Sequence, residues 1–183
     1  VQNPGAGAGA FASFAGRLAE AAAAAVLPYF RSQFTIDDKA DLTPVTAADR
    51  AAETAMRELI EKTHPDHGVV GEEFPPVRAD AEYVWILDPI DGTKSFVSGL
   101  PIFGTMIALT RGGRAILGVI DQPYTRERWV GVEGEGTLFN GKPARVRPCP
   151  ELARAVFLTT SVGLFDAAEE AAFQRRRKAT RIN

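Results

Sequence analysis

Carboxylates in three short stretches are the residues most able to do chemistry. Asp49 closes the segment Asp41-Leu42-Thr43-Pro44-Val45-Thr46-Ala47-Ala48-Asp49, Glu72 and Glu73 follow Gly71, and Asp88 and Asp91 lie in Asp88-Pro89-Ile90-Asp91-Gly92-Thr93. Each stretch borders a strongly apolar element. Gathering carboxylates in one cleft is costly, because like charges repel and raise each other's pKa, so a cluster of them points to a cation. Hard oxygen ligands with no accompanying cysteine or histidine set favour Mg²⁺ or Mn²⁺ over Zn²⁺. Within the hexapeptide, Pro89 restrains one backbone torsion and Gly92 allows unusual torsions and close approach. Such a turn could aim both carboxylates and the Ile90 carbonyl at one point. If a short helix begins at Thr93, its N-terminal amides would face the same point and could hold a phosphate.

Each piece also has a plainer reading. Thr46 and Asp49 have the spacing of a capping box, Glu72-Glu73 could be solvated charge at a strand end, and Asp-Pro and Asp-Gly are common turn dipeptides. His64 and His67 bracket Pro65-Asp66 and read as loop residues rather than ligands. Gly131, Gly134 and Gly136 fall in a strand-rich region with no helix after them, which argues against a dinucleotide loop.

The elements that must carry these residues are legible. Phe11 to Phe30 reads as one long helix ending near Pro28, and Ala47 to Lys62 as a second, reached through a turn-rich stretch from Thr35 to Thr43. Strands are expected at Gly68–Gly71 and Tyr83–Leu87, the second a continuous apolar run suited to a central position. A hairpin should join Phe103–Thr110 to Ala115–Asp121 through Arg111-Gly112-Gly113-Arg114. A meander continues through Glu127–Val132 and Thr137–Phe139, turning at Asn140-Gly141; Ala155–Thr160 reads as a further strand and Asp166–Lys178 as a helix. The fold class implied is α+β.

Composition excludes little. The chain has 183 residues, 45% hydrophobic and 24% charged, with a net charge of −2, which does not suggest a nucleic-acid surface. The basic run Arg175-Arg176-Arg177-Lys178 suits a helix C-terminus. A single cysteine, Cys149, cannot form an internal disulfide and fits a reducing, cytoplasmic setting. No run of 18 or more apolar residues stands out, so no membrane partner is expected. Val1 to about Ala10, Gly/Ala-rich and without a basic leader, reads as a disordered or vector-derived lead, with one fold from residue 11 to 183.

Taken together, the three acidic motifs resemble those of the inositol monophosphatase family. Asp88-Pro89-Ile90-Asp91-Gly92-Thr93 is similar to the family's signature, Gly71-Glu72-Glu73 to its upstream ligand motif, and Asp41 to Asp49 to its first acidic motif, a resemblance covering Phe11 to Lys178. The resemblance implies a layered α/β/α sandwich with an antiparallel sheet flanked by helices, and Mg²⁺-dependent hydrolysis of a small phosphate monoester in a homodimer. It implies that Glu72, Asp88, Asp91 and the Ile90 carbonyl hold metal, roughly two or three Mg²⁺ ions, with Mn²⁺ as an alternative. It further implies that Asp49 and Thr93 activate water, that the Gly92 and Thr93 amides bind phosphate, and that Lys39 lies close by. Lys94-Ser95-Phe96, Phe103-Gly104-Thr105 and Asp121-Gln122-Pro123 look closer to the histidinol-phosphate phosphatase branch. The C-terminal aspartate motif of the family is not present, and the chain stops about where the second half of that fold should begin. Alternatives are an inositol-1-phosphate, sugar or nucleotide phosphatase of the same family, a catalytically silent binding module, and, last, a structural protein with incidental acidic turns.

Overall fold

A computed structural model describes residues 8–32, 44–159, 163 and 165–181, without the side chains of 8 and 44–46. Lys39, Asp41 and the turn-rich stretch before the second helix lie outside the described residues. The chain divides into two compact units, Val1–Ala144 and Arg145–Asn183, where the sequence suggests one fold from residue 11 onward.

In the first unit, α1 (Ala12–Val26) is entered through a 3-10 turn at Ala8–Phe11 and left through another at Leu27–Tyr29. Of the expected lead, residues 8–10 are described and form the 3-10 turn that enters α1. Phe14, Ala15, Leu18, Ala19, Ala22 and Val26 share the buried face of α1, the i, i+3, i+4 stripe of a core helix. Gly9–Tyr29 is long and apolar enough to cross a membrane by composition, contrary to the expectation from apolar runs. Here its apolar stripe packs on α2 (Pro44–Thr63) and on the sheet.

Helix α2 begins three residues before its expected start, which corrects the capping-box reading: Asp49 is inside the helix, not at its cap. Ala48, Asp49, Ala52, Glu53, Met56 and Ile60 are its buried positions. Its end is followed by Pro65, as expected.

The seven strands run in sequence order across one sheet: β1 (Gly68–Gly71), β2 (Tyr83–Asp91), β3 (Gly104–Arg111), β4 (Arg114–Gln122), β5 (Glu127–Val132), β6 (Gly136–Phe139) and β7 (Lys142–Pro143). The β1–β2 pair is parallel and all others are antiparallel, so the sheet is mixed rather than antiparallel throughout. Strand β2 is second from the edge, and it runs four residues beyond Leu87 to include Asp88–Asp91. The expected turn at that motif is thus a distorted strand end, with a register shift between Asp88 and Asp91. Gly112-Gly113 and Asn140-Gly141 turn with both residues at positive φ (56° and 81°; 46° and 77°), the torsions that two-residue hairpins of this twist demand. One sheet face packs under the helices through Trp85, Leu87, Ile107, Leu109, Leu117 and Val119.

In the second unit, α4 (Ala167–Lys178) starts at Asp166, whose carboxylate accepts from the amides of Ala168 and Glu169 at 2.8 Å each, while the Glu169 side chain reaches back to the Asp166 amide. Phe173 packs against Phe157 and Phe165. The strand expected over residues 155–160 does not form in its described part: 155–159 is irregular with one bridge residue, and Leu158 is exposed. The Ala155 carbonyl accepts from the Arg181 amide at 3.0 Å, beyond the end of α4.

Candidate metal and phosphate site

The parallel register brings two of the three acidic motifs together. Gly71 lies opposite Leu87, so Glu72, just past the end of β1, comes beside Asp88, which is still within β2 and paired with Met106 of β3. That end is where open α/β sheets place their ligands. Asp91 follows at the end of β2 opposite Gly104. Asp49 comes to the same place from the first turns of α2 and is almost completely buried.

The carboxylates act on one another. Burial, and then the charges of Glu73, Asp88, Glu72 and Glu53, push the Asp49 carboxyl up to about 7. Burial, then Glu72 and Asp91, push Asp88 up to about 6, opposed by a hydrogen bond from the Ile90 amide. Asp88 Oδ1 is buried with no hydrogen-bond partner. A buried, unpaired carboxylate oxygen is costly, and a divalent cation would relieve both that cost and the mutual repulsion. The donor set, all oxygen, fits a hard cation. Among the described residues, no three acidic, histidine or cysteine side chains already share one coordination point; the carboxylates lie within electrostatic reach of each other.

The backbone beside the cleft is pinned. Thr93 Oγ1 donates to the Ile90 carbonyl at 3.2 Å, and the buried Thr105 hydroxyl donates to the Pro89 carbonyl at 2.8 Å. Gly92, with φ of 89°, caps the short helix α3 (Thr93–Val97). A side chain at Gly92 would sit at unfavourable torsions and press on the Ile102 carbonyl at 3.1 Å. The helix expected at Thr93 is present, so the Gly92 and Thr93 amides lie at its N-terminal end, beside Asp91.

These observations are those of a known architecture. Residues 10–180 match the inositol monophosphatase family. The chain belongs to that family. It is 46% identical over 174 residues to a chloroplastic bifunctional phosphatase of Arabidopsis thaliana, covering 94% of this chain and 50% of that protein. A histidinol-phosphatase of Chlorobaculum parvum is 42% identical over 144 residues, 78% of this chain and 56% of its own length. Among solved structures, an inositol monophosphatase from Zymomonas mobilis superposes with a TM-score of 0.85 at 47% identity, over 93% of this chain and 66% of that one. The chain spans about half the length of the curated relatives it matches. A sheet flanked by helices is the shared fold.

Of the residues singled out from sequence, Asp49, Glu72 and Asp88 act on one another, Asp91 acts on Asp88, and Ile90, Gly92 and Thr93 adjoin Asp91 in the chain. His64 and His67 stack on each other at 4.5 Å within an aromatic cluster of Phe11, Phe14, Tyr83 and Trp85. There His67 Nδ1 accepts from the Trp85 indole at 3.1 Å. Sequence reasoning missed Glu53 and Thr105. Both have a signal: each is a polar residue on an otherwise apolar face, Glu53 one turn beyond Asp49 and Thr105 in phase with Ile107 and Leu109.

Proposed function

We propose that the protein hydrolyses a small phosphate monoester with Mg²⁺, and that histidinol phosphate is its substrate. The observation that carries the phosphatase reading is the pairing of Asp88, its Oδ1 buried and partnerless, with Glu72, Asp91 and Asp49 beside a glycine-capped helix start. Glu72, Asp88, Asp91 and the Ile90 carbonyl would hold the metal. Bound there, Mg²⁺ supplies acidification of water and neutralisation of charge on the phosphoryl oxygens.

The chain's own groups do the rest. Asp49, buried beside Glu72 and Asp88, would accept a proton from water. The Thr93 hydroxyl, oriented by its bond to the Ile90 carbonyl, would hold that water. The amides of Gly92 and Thr93 would receive the phosphate oxygens. Lys39 remains a proposed neighbour of the same site.

Histidinol phosphate is supported by the match to proteins named histidinol-phosphatase in Chlorobaculum parvum, Mycobacterium tuberculosis and Streptomyces coelicolor, at 38–44% identity. Relatives with other names, including a fructose-1,6-bisphosphatase/inositol-1-monophosphatase of Aquifex aeolicus, make inositol or sugar phosphates the alternatives. Phosphate release by the full-length protein from histidinol phosphate, inositol-1-phosphate and fructose-1,6-bisphosphate, compared as kcat/KM, separates them. Release should require Mg²⁺ and fall by about 10²-fold or more in Asp91→Asn. Undiminished turnover in the presence of a chelator would refute the mechanism, and a preference for either other substrate would refute the specificity.

A further inference from the structure

Like charge makes the cleft self-opposing. Glu72 is exposed on an irregular segment between β1 and β2, and it faces Asp88 and Asp49, whose charges repel it. Left to itself, such a segment would swing its carboxylate outward into water. Something must hold it inward, and three independent contacts identify what does.

Glu53, fully buried on α2, accepts from the Glu73 amide through Oε2 at 2.8 Å. Its other oxygen pairs with Arg57 Nε at 2.7 Å, one turn along the helix. Arg57 in turn donates from Nη2 to the Phe74 carbonyl at 3.2 Å. The Arg50 and Arg57 guanidiniums lie over the Phe74 ring, 4.7 and 5.8 Å from its centre. Gly71 completes the arrangement: a methyl group added there would overlap the Glu53 carboxylate, so the last residue of β1 is the seat of the Glu53 head group.

We propose that Glu53 is a positioning residue for metal binding: with Arg57 and the seat at Gly71, it fixes the Glu73–Phe74 backbone so that Glu72 is presented to the cleft against electrostatic repulsion. The inference rests on the proposed metal site and extends it to a residue that would touch neither metal nor substrate. Groups that orient metal ligands typically change affinity by about 10- to 100-fold when removed.

The test is titration of the metal-free, full-length protein with Mg²⁺ by calorimetry, alongside thermal melting. Glu53→Ala should weaken Mg²⁺ by about tenfold or more. Gly71→Ala should do the same with Glu53 intact, because the added methyl displaces the carboxylate. Glu53→Gln, which keeps an acceptor for the Glu73 amide, should recover most of the affinity. Met56→Ala, on the same buried helix face, should lower the melting temperature while leaving Mg²⁺ affinity unchanged, separating positioning from stability. Mg²⁺ affinity unaltered in both Glu53→Ala and Gly71→Ala, with the wild type binding normally, overturns the positioning role alone. A wild-type protein that takes up no Mg²⁺ overturns the proposed function itself. Should Glu53→Ala fail to fold, Gly71→Ala and Glu53→Gln carry the decision.

Discussion

Without metal, the cleft should be a source of instability that acid relieves. Asp49 has its carboxyl raised from 3.8 to about 7 in the folded protein. Between these two values the native state holds a proton that the unfolded chain has released, so stability falls as pH rises and the whole penalty is in force above about 7. Three pKa units correspond to about 4 kcal/mol; solvent at the cleft mouth screens part of this, leaving about 2 kcal/mol. Asp49→Asn removes the charge and keeps the shape. In a chelator at pH 8 the variant should therefore be more stable than wild type by about 2 kcal/mol, or about 5 °C in melting temperature for a chain of this size. At pH 5 the difference should shrink to about a third of that, and it should vanish only below 3.8, where the unfolded chain is protonated as well. Urea unfolding of both proteins at unit pH steps, read as wild type minus variant, cancels every other titrating group. Saturating Mg²⁺ should stabilise both proteins, by about 2.7 kcal/mol at a hundredfold excess over Kd, and should narrow the gap at pH 8 because its charge offsets the repulsion that Asp49 meets. A variant that is equal to or weaker than wild type at pH 8 in chelator would show that the carboxylates do not repel one another, and the metal argument would lose its basis.

The aromatic cluster should titrate with the opposite sign. Burial, with Arg17 near His64 and with His64 near His67, holds both histidines below 6.5; stability is complete above 6.5 and is lost as pH falls through the lowered values. His67→Phe should flatten that acid limb in the same urea series. Trp85→Phe should cost about 1 kcal/mol, chiefly the indole bond to His67, whereas Trp85→Ala should cost about 3–5 kcal/mol in denaturant titration. Gly92→Ala should destabilise by about 1–3 kcal/mol through its torsion alone, with a larger loss in phosphate release than in melting temperature. Asp166→Ala should remove about 1 kcal/mol of helix capping from α4, seen as local loss of amide protection with the cleft unaffected.

Much of the site was legible because its parts are local. Asp88 to Thr93 combine acid, proline and glycine in six residues, and no tertiary information is needed to see that such a segment can aim several oxygens at one point. The strands and hairpins followed from apolar runs and from glycines at turns. What misled was spacing read in isolation. Thr46 and Asp49 look like a cap, but the helix begins at Pro44, and the apolar stripe of Ala48, Ala52, Met56 and Ile60 rotates Asp49 inward. Residues 155–159 carry apolar side chains at strand-like spacing, yet they are irregular apart from one bridge residue, and Leu158 stays exposed.

The sequence by itself determined which chemistry was available: hard oxygen donors, a phosphate-sized turn, and an apolar framework stiff enough to hold them. Only the tertiary structure decided that these donors meet. The parallel pairing of β1 with β2 sets Glu72 beside Asp88, the packing of α2 on the sheet brings Asp49 to both, and Glu53 reaches across from α2 to hold the segment that repulsion would open. Those outcomes depend on register and on packing between residues as much as 20 to 40 positions apart, and the free energy that sets them is spread over the whole buried face rather than written in any one motif.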